Sequence, residues 1–392
     1  MKQVYLCTSL GLAFIAMLIG VQPALEEFLT FGGIQKDDMN DPERHDWIAA
    51  VALSPDNRHV YAAGYGRSGV IVFKRDPQSG KLTFIESQKN GVNQVDGLAG
   101  ALRITVSPDG KHVYAAGYWD YALAVFRRDM VTGKLSFVES KKVEVSGPND
   151  LGRVRCLALS PDGKHVYTAN NNDSVVVLKR DALTGKLNFV ESHKKGAGGL
   201  EGLSDAYSLI LSPDGNQVYV TGAGDNTLTV FKRDADTGKL ILVETVKNKS
   251  NSVEGLEGST YITMSADGNY LYATGFRANA VVVFKRDTAT GKLTWVEAQK
   301  NGIGAVTKLC GATALSVSPN GKRLYVASEI DNALAVFSRD GRTGKLVFKK
   351  AYRNGQDNVQ GLFSPRFLTT SADSRHIYVS GKSNNLILFS TP

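Results

Sequence analysis

The most constraining feature of this 392-residue sequence is a motif that occurs seven times at nearly constant spacing. The motif reads Ser-Pro-Asp-Gly or a near copy, and successive copies are 52 or 53 residues apart. The first residues of the copies are Ser54, Ser107, Ser160, Ser212, Ser265, Ser318 and Ser371. Similarity at a fixed period indicates a repeat architecture, so the length describes one array of small units rather than several unrelated domains.

Each repeat contains four short β-rich runs separated by Gly, Pro, Asp and Asn residues. One run precedes the motif, a second follows it, and a third ends at an Arg-Asp-x-x-Thr-Gly-Lys turn that leads into the fourth. This pattern is typical of four strands joined by hairpins, and the turn favours a type I conformation closed by a left-handed glycine. The sequence therefore predicts an all-β, seven-bladed β-propeller with four-stranded antiparallel blades.

The two ends of the repeat array complement each other. The seventh repeat ends after its third run, Asn385 to Phe389, whereas residues 28–31 match the start of a fourth run such as residues 81–84. We therefore expect an N-terminal strand to complete the last blade and close the ring, which removes the exposed sheet edges. Residues 25–392 are predicted to form this single propeller domain.

Residues 1–24 have the pattern of a secretory signal peptide. Lys2 precedes an uncharged, largely apolar run over residues 4–21, and the small residue Ala24 precedes the first acidic residues. The apolar run is also long enough for an uncleaved membrane anchor, which remains the alternative. We expect an exported protein, periplasmic or extracellular, that contacts a membrane only if this segment is retained.

The net charge of +8 comes from the hairpin turns. The motif turns and the third turns together hold 22 Lys or Arg and 12 recurring Asp, so the rest of the chain is nearly neutral. These turns lie on one side of the predicted disc, which we call the turn face. We expect it to be a solvated basic surface, and binding of this face to an anionic surface is the alternative. Without interleaved aromatic residues it does not favour nucleic-acid binding.

Residues that occupy the same position in several repeats are best explained by the scaffold. Four of the six histidines lie five residues after the Ser of their motif: His59, His112, His165 and His376. The sequence has no Cys-x-x-Cys, His-Glu-x-x-His, phosphate-binding glycine loop or EF-hand pattern, so it predicts no metal and no cofactor. Whether Cys156 and Cys310 are free or bridged is left open.

Candidate ligand-binding residues lie where the repeats differ. The loops between second and third strands and the crossings between blades form the face opposite the turns, here called the variable face. Arg103, Arg155 and Arg366 begin inner strands at the mouth of the central channel, where they would form a cationic funnel for a carboxylate, phosphate or oxyanion. In the alternative interpretation they pair with acidic residues of the crossings: Asp96, Asp150, Glu201 or Asp205.

Aromatic residues accompany these arginines. Tyr207 and Tyr261 begin two further inner strands, and Trp119 lies in the aromatic loop 118–121 of the second blade. This rim suits a sugar ring or another flat ligand, and a protein-contact patch is the alternative.

The first blade carries the candidate catalytic residues. His45 occupies the crossing position at which the other blades have Leu, and Asp46 follows it. An imidazole titrates near neutral pH, so His45, positioned by Asp46, is a candidate general base. Glu201 is a reserve candidate for the same role.

The repeats resemble the seven-bladed lactonase-like propellers. The runs Ser-Pro-Asp-Gly-Lys-His-Val-Tyr-x-Ala and Asn-Ala-Leu-Ala-Val-Phe-x-Arg-Asp-x-x-Thr-Gly-Lys-Leu carry this resemblance, which covers residues 28–392. The group includes the 6-phosphogluconolactonase-type and muconate-cyclase-type enzymes and borders the YVTN-repeat surface proteins. The shared motifs are scaffold motifs, so the resemblance implies the fold and assigns no catalytic residue.

Two functional hypotheses follow. In the first, an exported propeller binds a small anionic or sugar-like ligand, or a protein or glycan partner, at the variable face. In the alternative, the chain is a carboxylic ester hydrolase that opens or closes a lactone bearing an anionic group. The arginines would then bind the anion and polarise the carbonyl, while His45 would activate water.

Overall fold

The computed structural model describes residues 28–36, 47–142, 151–383 and 385–392. The predicted repeat is present in it as seven four-stranded antiparallel sheets. In chain order the strands are β1 (Thr30–Lys36), β2 (Ile48–Leu53), β3 (His59–Gly64), β4 (Gly69–Arg75), β5 (Leu82–Lys89), β6 (Ala101–Val106), β7 (His112–Gly117), β8 (Ala122–Arg128), β9 (Leu135–Lys142), β10 (Val154–Leu159), β11 (His165–Asn170), β12 (Ser174–Arg180), β13 (Leu187–Lys194), β14 (Ala206–Leu211), β15 (Gln217–Gly222), β16 (Thr227–Arg233), β17 (Leu240–Lys247), β18 (Ser259–Met264), β19 (Tyr270–Gly275), β20 (Ala280–Arg286), β21 (Leu293–Lys300), β22 (Ala312–Val317), β23 (Arg323–Ser328), β24 (Ala333–Arg339), β25 (Leu346–Arg353), β26 (Pro365–Thr370), β27 (His376–Gly381) and β28 (Asn385–Ser390).

Blades 1 to 6 each take four consecutive strands, from β2–β5 to β22–β25. Blade 7 contains β26, β27 and β28, and its outer strand is β1, which pairs antiparallel with β28. This confirms the prediction that the N-terminal strand closes the ring. The second and third strands of the blades are almost entirely buried, and their Val, Ala, Leu, Phe and Tyr side chains form the core between adjacent blades.

The motif turns are built by side-chain hydrogen bonds, as the sequence predicts. In blade 2 the Ser107 hydroxyl donates to the Asp109 carboxylate (2.5 Å) and accepts from the His112 N–H (3.0 Å). The third turn is equally local, because Asp129 accepts from the N–H groups of Val131 and Thr132, both at 2.9 Å. Adjacent to it, Gly133 has the predicted left-handed conformation, with φ of 78°.

One arginine from each of the first six blades reaches into the preceding blade. Arg128 at the end of β8 donates to the Tyr61 hydroxyl (2.7 Å), the Asp56 carboxylate (2.7 Å) and His59 Nδ1 (2.9 Å), all in blade 1. It also donates to the Gly110 carbonyl in its own blade (3.0 Å). We call the residues at this position the latch arginines; they are Arg75, Arg128, Arg180, Arg233, Arg286 and Arg339.

The side chains of the latch arginines are at most 3% exposed. The expectation of a solvated basic turn face is therefore wrong for these six residues, whose guanidinium groups are buried and paired with carboxylates of the neighbouring blade. The histidines of the motif turns are scaffold residues, as predicted. His59, for example, is buried, and its ring packs so closely on Gly133 that a Cβ added to this glycine would lie 2.2 Å from His59 Cδ2.

The interface between blades 6 and 7 is held differently. Here the buried Leu29 N–H donates to the Tyr352 hydroxyl (2.7 Å), and Arg323 donates to the Phe28 carbonyl (2.9 Å). The Arg323 guanidinium also lies 5.6 Å from the centre of the Phe28 ring. The N-terminal segment thus contributes contacts at this interface in addition to completing the blade.

Two further observations concern the described part of the chain. Across the described ranges, no helix combines enough length with enough apolarity to cross a membrane. The predicted signal segment, residues 1–24, lies outside those ranges. The two described cysteines, Cys156 and Cys310, are both free thiols, which answers the question that the sequence left open.

Candidate functional site

A cavity of about 230 Å³ opens at the mouth of the channel on the variable face. We call it the mouth cavity. All six residues predicted to bind ligand lie in its wall: Arg103, Trp119, Arg155, Tyr207, Tyr261 and Arg366. The remaining described lining residues are Trp47, Ala49, Tyr65, Leu102 and Tyr118. Inner strands from several blades converge here, so residues far apart in sequence form one site.

Arg103 lies at the base of the mouth cavity and is 6% exposed. Its guanidinium donates to the Leu102 carbonyl (2.9 Å) and to the Tyr261 hydroxyl, and it lies 5.3 Å from the centre of the Tyr261 ring. Within the described residues it has no carboxylate partner, and its Nε has no hydrogen-bond partner. A buried cation without a counter-ion is costly, which makes this position suited to an anionic ligand.

The protonation states at the base follow from burial and contact. Burial raises the pKa of the Tyr261 phenol well above its usual range, and the neighbouring Arg103 guanidinium offsets only part of this rise. For Arg103, burial lowers the pKa, but the Tyr261 and Tyr207 hydroxyls raise it to a net value above the ordinary one. Tyr261 is therefore a neutral phenol and Arg103 a permanent cation at physiological pH.

The other two mouth arginines are partly exposed and ion-paired. Arg155 pairs with Asp205 (3.1 Å), and its side chain is 26% exposed. Arg366 pairs with Glu329 (2.5 Å) and is 31% exposed. The sequence-based alternative, in which crossing acids hold the arginines, is therefore correct for Arg155.

For the other acids that this alternative named, the structure gives a different result. Asp96 pairs with Lys142 (2.8 Å) rather than with an arginine, and Asp150 lies outside the described residues. Sequence reasoning missed Glu329, which directly follows β23 in a second-to-third strand loop. The only available signal was an acidic residue in a loop that differs from blade to blade.

Aromatic rings form the opposite wall. The centres of the Trp47 and Tyr65 rings are 4.7 Å apart, and those of Tyr118 and Trp119 are 4.9 Å apart at 88°. Trp119 is 50% exposed, and the Arg153 guanidinium lies 4.7 Å from its ring centre. The predicted aromatic rim is thus adjacent to the mouth arginines, and Trp47 and Tyr65 extend it beyond what the sequence indicated.

The predicted catalytic residues are placed as follows. His45 and Asp46 lie outside the described residues, although Trp47, the next residue, lines the mouth cavity. Glu201 is exposed, its carbonyl accepts from the Thr245 hydroxyl (3.3 Å), and it does not line the cavity. Among the described lining residues there is no His, Asp or Glu side chain. Glu201 is therefore not brought to the site.

Below the mouth lies a second cavity of about 370 Å³, formed by the inner strands that surround the channel. Arg103 and Tyr261 line both cavities, so their contact lies where the mouth cavity meets the channel. Cys156 faces this lower space, with Sγ 3.6 Å from the Leu209 carbonyl. In the described residues, no cluster of three or more His, Cys, Asp or Glu is arranged to hold a metal ion.

Comparison with known proteins assigns the family. The sequence profile described as "Lactonase, 7-bladed beta-propeller" matches residues 20–94, 90–201, 152–307, 207–359 and 303–391. The chain belongs to this family. The lactonase propellers match it over the whole ring, including the N-terminal strand and all seven copies of the motif.

Individual relatives of this lactonase-family chain are distant. Antigen Lp49 of Leptospira interrogans is 24% identical over 300 residues, which is 74% of this chain and 60% of that protein. A 6-phosphogluconolactonase of Formosa agariphila is 24% identical over 235 residues, covering 59% of this chain and 63% of the relative. In both cases the match spans less than two thirds of the relative's own length.

Solved structures share the fold. The periplasmic gluconolactonase of Pseudomonas aeruginosa superposes with a TM-score of 0.63 at 22% identity, covering 78% of this chain and 85% of the other. A putative 6-phosphogluconolactonase of Bacteroides uniformis gives a TM-score of 0.61 at 21% identity with the same coverage of each chain. At this identity the likeness establishes the propeller fold of this lactonase-family chain and not its substrate.

Proposed function

We propose that the mouth cavity binds a lactone bearing an anionic group and catalyses its hydrolysis. The observation that carries this proposal is Arg103, a buried guanidinium with no carboxylate partner among the described residues. An anionic ligand in the mouth cavity would supply the missing counter-charge. Membership of the lactonase family supports lactone opening as the reaction.

The arginines suit both ground-state binding and charge development. Attack of water on the lactone carbonyl places negative charge on the carbonyl oxygen, and donors fixed in advance stabilise that charge. Arg155 and Arg366 lie in the same wall as Arg103, and each is held in place by one carboxylate and one aromatic ring. This arrangement limits the reorganisation that the guanidinium groups need during reaction.

The general base in this proposal is His45, with Asp46 as the residue that orients it. The imidazole takes a proton from water while the water oxygen bonds to the carbonyl carbon. The ester C–O bond then breaks, and the proton is returned to the departing alkoxide, which gives the open hydroxy acid. The position of Trp47 in the cavity wall supports this assignment, because His45 is only two residues away in the chain.

Hydrolysis is tested with a panel of γ- and δ-lactones, with and without a carboxylate or phosphate group, by following acid release with a pH indicator. We expect turnover of at least one anionic lactone and a loss of about 100-fold in kcat/KM for Arg103→Met. Arg277→Met is the matched control, because Arg277 bonds Ala223 and Asn226 elsewhere on the variable face. Equal activities of the two variants would contradict the assignment of Arg103.

The base is tested separately with His45→Ala. We expect a loss of about 100-fold in kcat. We also expect that the fall in rate on the acidic side of the pH–rate profile disappears, because it reports protonation of the base. An unchanged pH profile in this variant would remove His45 from the mechanism. If no lactone of the panel is opened by the wild type, hydrolysis is wrong, and binding of a protein, glycan or small ligand at the variable face becomes the better interpretation.

Export is part of the same proposal. The composition of residues 1–24 supports it, and one structural neighbour is described as a periplasmic enzyme. Cell fractionation with N-terminal sequencing should find the protein outside the cytoplasm with a mature start near residue 25. An intact N-terminus on cytoplasmic protein would contradict export.

A further inference from the structure

We infer that the mouth cavity selects an aromatic carboxylate, a flat ring carrying one acidic group and few hydroxyls, in preference to a polyhydroxylated sugar acid. As a statement about the substrate, which would be a lactone built on such a ring, this inference rests on the proposed function. The selectivity of the cavity can nevertheless be measured without turnover. It follows from the distribution of chemical groups around the cavity wall.

The wall has two chemically different halves. Blades 3 and 7 contribute Arg155 and Arg366, and Arg103 completes the cationic half at the base. Blades 1 and 2 contribute the aromatic half: Trp47, Tyr65, Tyr118 and Trp119. The Arg366 guanidinium lies 5.5 Å from the Trp47 ring centre, and that of Arg153 lies 4.7 Å from the Trp119 ring centre. A ligand that fills both halves therefore has an anionic end and a flat apolar end.

The aromatic half presents ring faces and edges at different inclinations. Trp47 and Tyr65 are tilted by 48°, whereas Tyr118 and Trp119 are nearly perpendicular. A planar ring placed among them makes offset and edge-to-face contacts, which are the geometries that aromatic pairs prefer. Sugar rings also stack on aromatic side chains, so this feature alone does not decide between the two ligand classes.

The hydrogen-bonding groups decide it. Guanidinium and indole N–H groups are donors only, and they dominate the polar lining of the cavity. Among the described lining residues, the acceptor side chains are four tyrosine hydroxyls, and that of Tyr261 already accepts from Arg103. The nearby carboxylates of Asp205 and Glu329 are engaged in ion pairs. In the proposed mechanism Asp46 accepts from His45 and the imidazole accepts from water, so neither is left for a ligand hydroxyl.

A polyhydroxylated ligand would bring several hydroxyl donors into this donor-rich space. Each hydroxyl that loses water without finding an acceptor weakens binding. A carboxylate has only acceptor oxygens, and an aromatic ring has no polar group to satisfy. The volume of about 230 Å³ is below the roughly 300–1,000 Å³ of sites for drug-sized ligands, so one small ring system fills it.

Isothermal titration calorimetry on the full chain tests the inference with two probes of equal charge, 2-naphthoate and gluconate. We expect 2-naphthoate to bind at least about tenfold more tightly, because ring contacts are gained and no hydroxyl is left unpaired. Equal affinity, or tighter binding of gluconate, would overturn the inference.

Variants locate the selectivity. Trp119→Ala should weaken 2-naphthoate about tenfold and gluconate less than twofold, whereas Arg155→Gln should weaken both. Trp295→Phe is the control, because Trp295 lies in β21, outside the mouth cavity, and should change neither affinity. Loss of both ligands to the same degree in Trp119→Ala would show that the aromatic half does not discriminate between them.

The two proposals fail in different ways. Tight 2-naphthoate binding without hydrolysis of any lactone would contradict the proposed reaction and leave the selectivity intact. Efficient opening of a polyhydroxylated lactone that bears a phosphate, with weak 2-naphthoate binding, would confirm the reaction and overturn the selectivity.

Discussion

Two sets of arginines in this propeller have opposite relations to their surroundings. Arg128 represents the latch set, and its guanidinium donates to a tyrosine, a carboxylate, a histidine and a backbone carbonyl. Arg103 at the mouth is also buried, yet within the described structure it has one phenol and one carbonyl as acceptors and no carboxylate. A buried guanidinium thus has a carboxylate partner at the latch position, whereas at the mouth it has none among the described residues.

The difference separates the positions that stabilise the ring from those that bind a ligand. A buried arginine whose donors are all used contributes to stability, because its removal leaves its partners without hydrogen bonds. A buried arginine without a counter-ion reduces stability, and its retention is explained by a ligand that completes it. Three predictions test this contrast.

The largest effect is expected at a latch. Arg128→Met should lower the free energy of unfolding by about 3 kcal/mol, because Asp56, Tyr61 and His59 all lose a partner. Arg339→Met should cost about 1 kcal/mol less, since Arg339 lies 3.8 Å from Asp267 and its Nη2 has no hydrogen-bond partner. Denaturant unfolding curves measure both, and equal losses would show that the Asp and His contacts add nothing.

At the mouth the effect on stability should be close to zero. Arg103→Met exchanges a buried guanidinium that has no carboxylate partner in the described part of the chain for an apolar side chain of similar length. The free energy of unfolding should therefore stay within about 1 kcal/mol of the wild type or rise. The same unfolding measurement applies, with ligand affinity measured alongside. A loss as large as that of Arg128→Met would make Arg103 a structural residue and remove the contrast.

The smallest effect concerns pH. Burial, followed by the charge of Arg180, lowers the pKa of His112, so the folded protein disfavours the proton that the unfolded chain accepts. Stability is therefore full above pH 6.5 and declines as the pH falls below it. His112→Gln copies the Gln217 of blade 4 and should reduce the fall in Tm between pH 7.5 and 5.5 by about 1 °C.

A separate decline should appear at lower pH in both proteins. Burial raises the pKa of Asp109, but hydrogen bonds from Ser107 and Arg180 lower it to about 2. The contribution of Asp109 to stability is present above pH 3.8 and is lost as the pH falls towards 2.

The His112 prediction has its own test. If His112→Gln and the wild type lose stability identically between pH 7.5 and 5.5, His112 is not the titrating group.

Most of the fold was predictable because a repeat reports the same local structure seven times. The Ser-Asp turns and the left-handed glycine of the third turn depend on neighbours within a few residues, and the structure has them where the sequence predicts. The latches were not predictable. Arg180 contacts Asp109, 71 residues earlier, and a single sequence carries no signal for that pairing.

The candidate site was predictable in part for a related reason. Arg103, Arg155 and Tyr261 were recognised because they break the repeat at positions that the ring geometry brings together. Other residues of the site were missed: Glu329, which pairs with Arg366, and Tyr65, which lines the cavity. Both lie in loops whose course the repeat does not determine. His45 and Asp46 remain predictions.

The hydrogen bond from Arg103 to Tyr261 joins blade 2 to blade 5 across the axis, between the mouth cavity and the channel. A ligand in the mouth cavity would therefore lie against this contact on one side and face the opening of the variable face on the other. In the proposed reaction, product and substrate would occupy the same cavity, so product inhibition should be competitive. A partner that covers the variable face would block access of ligand to the mouth cavity, whereas a molecule bound on the turn face would leave the opening of the cavity free.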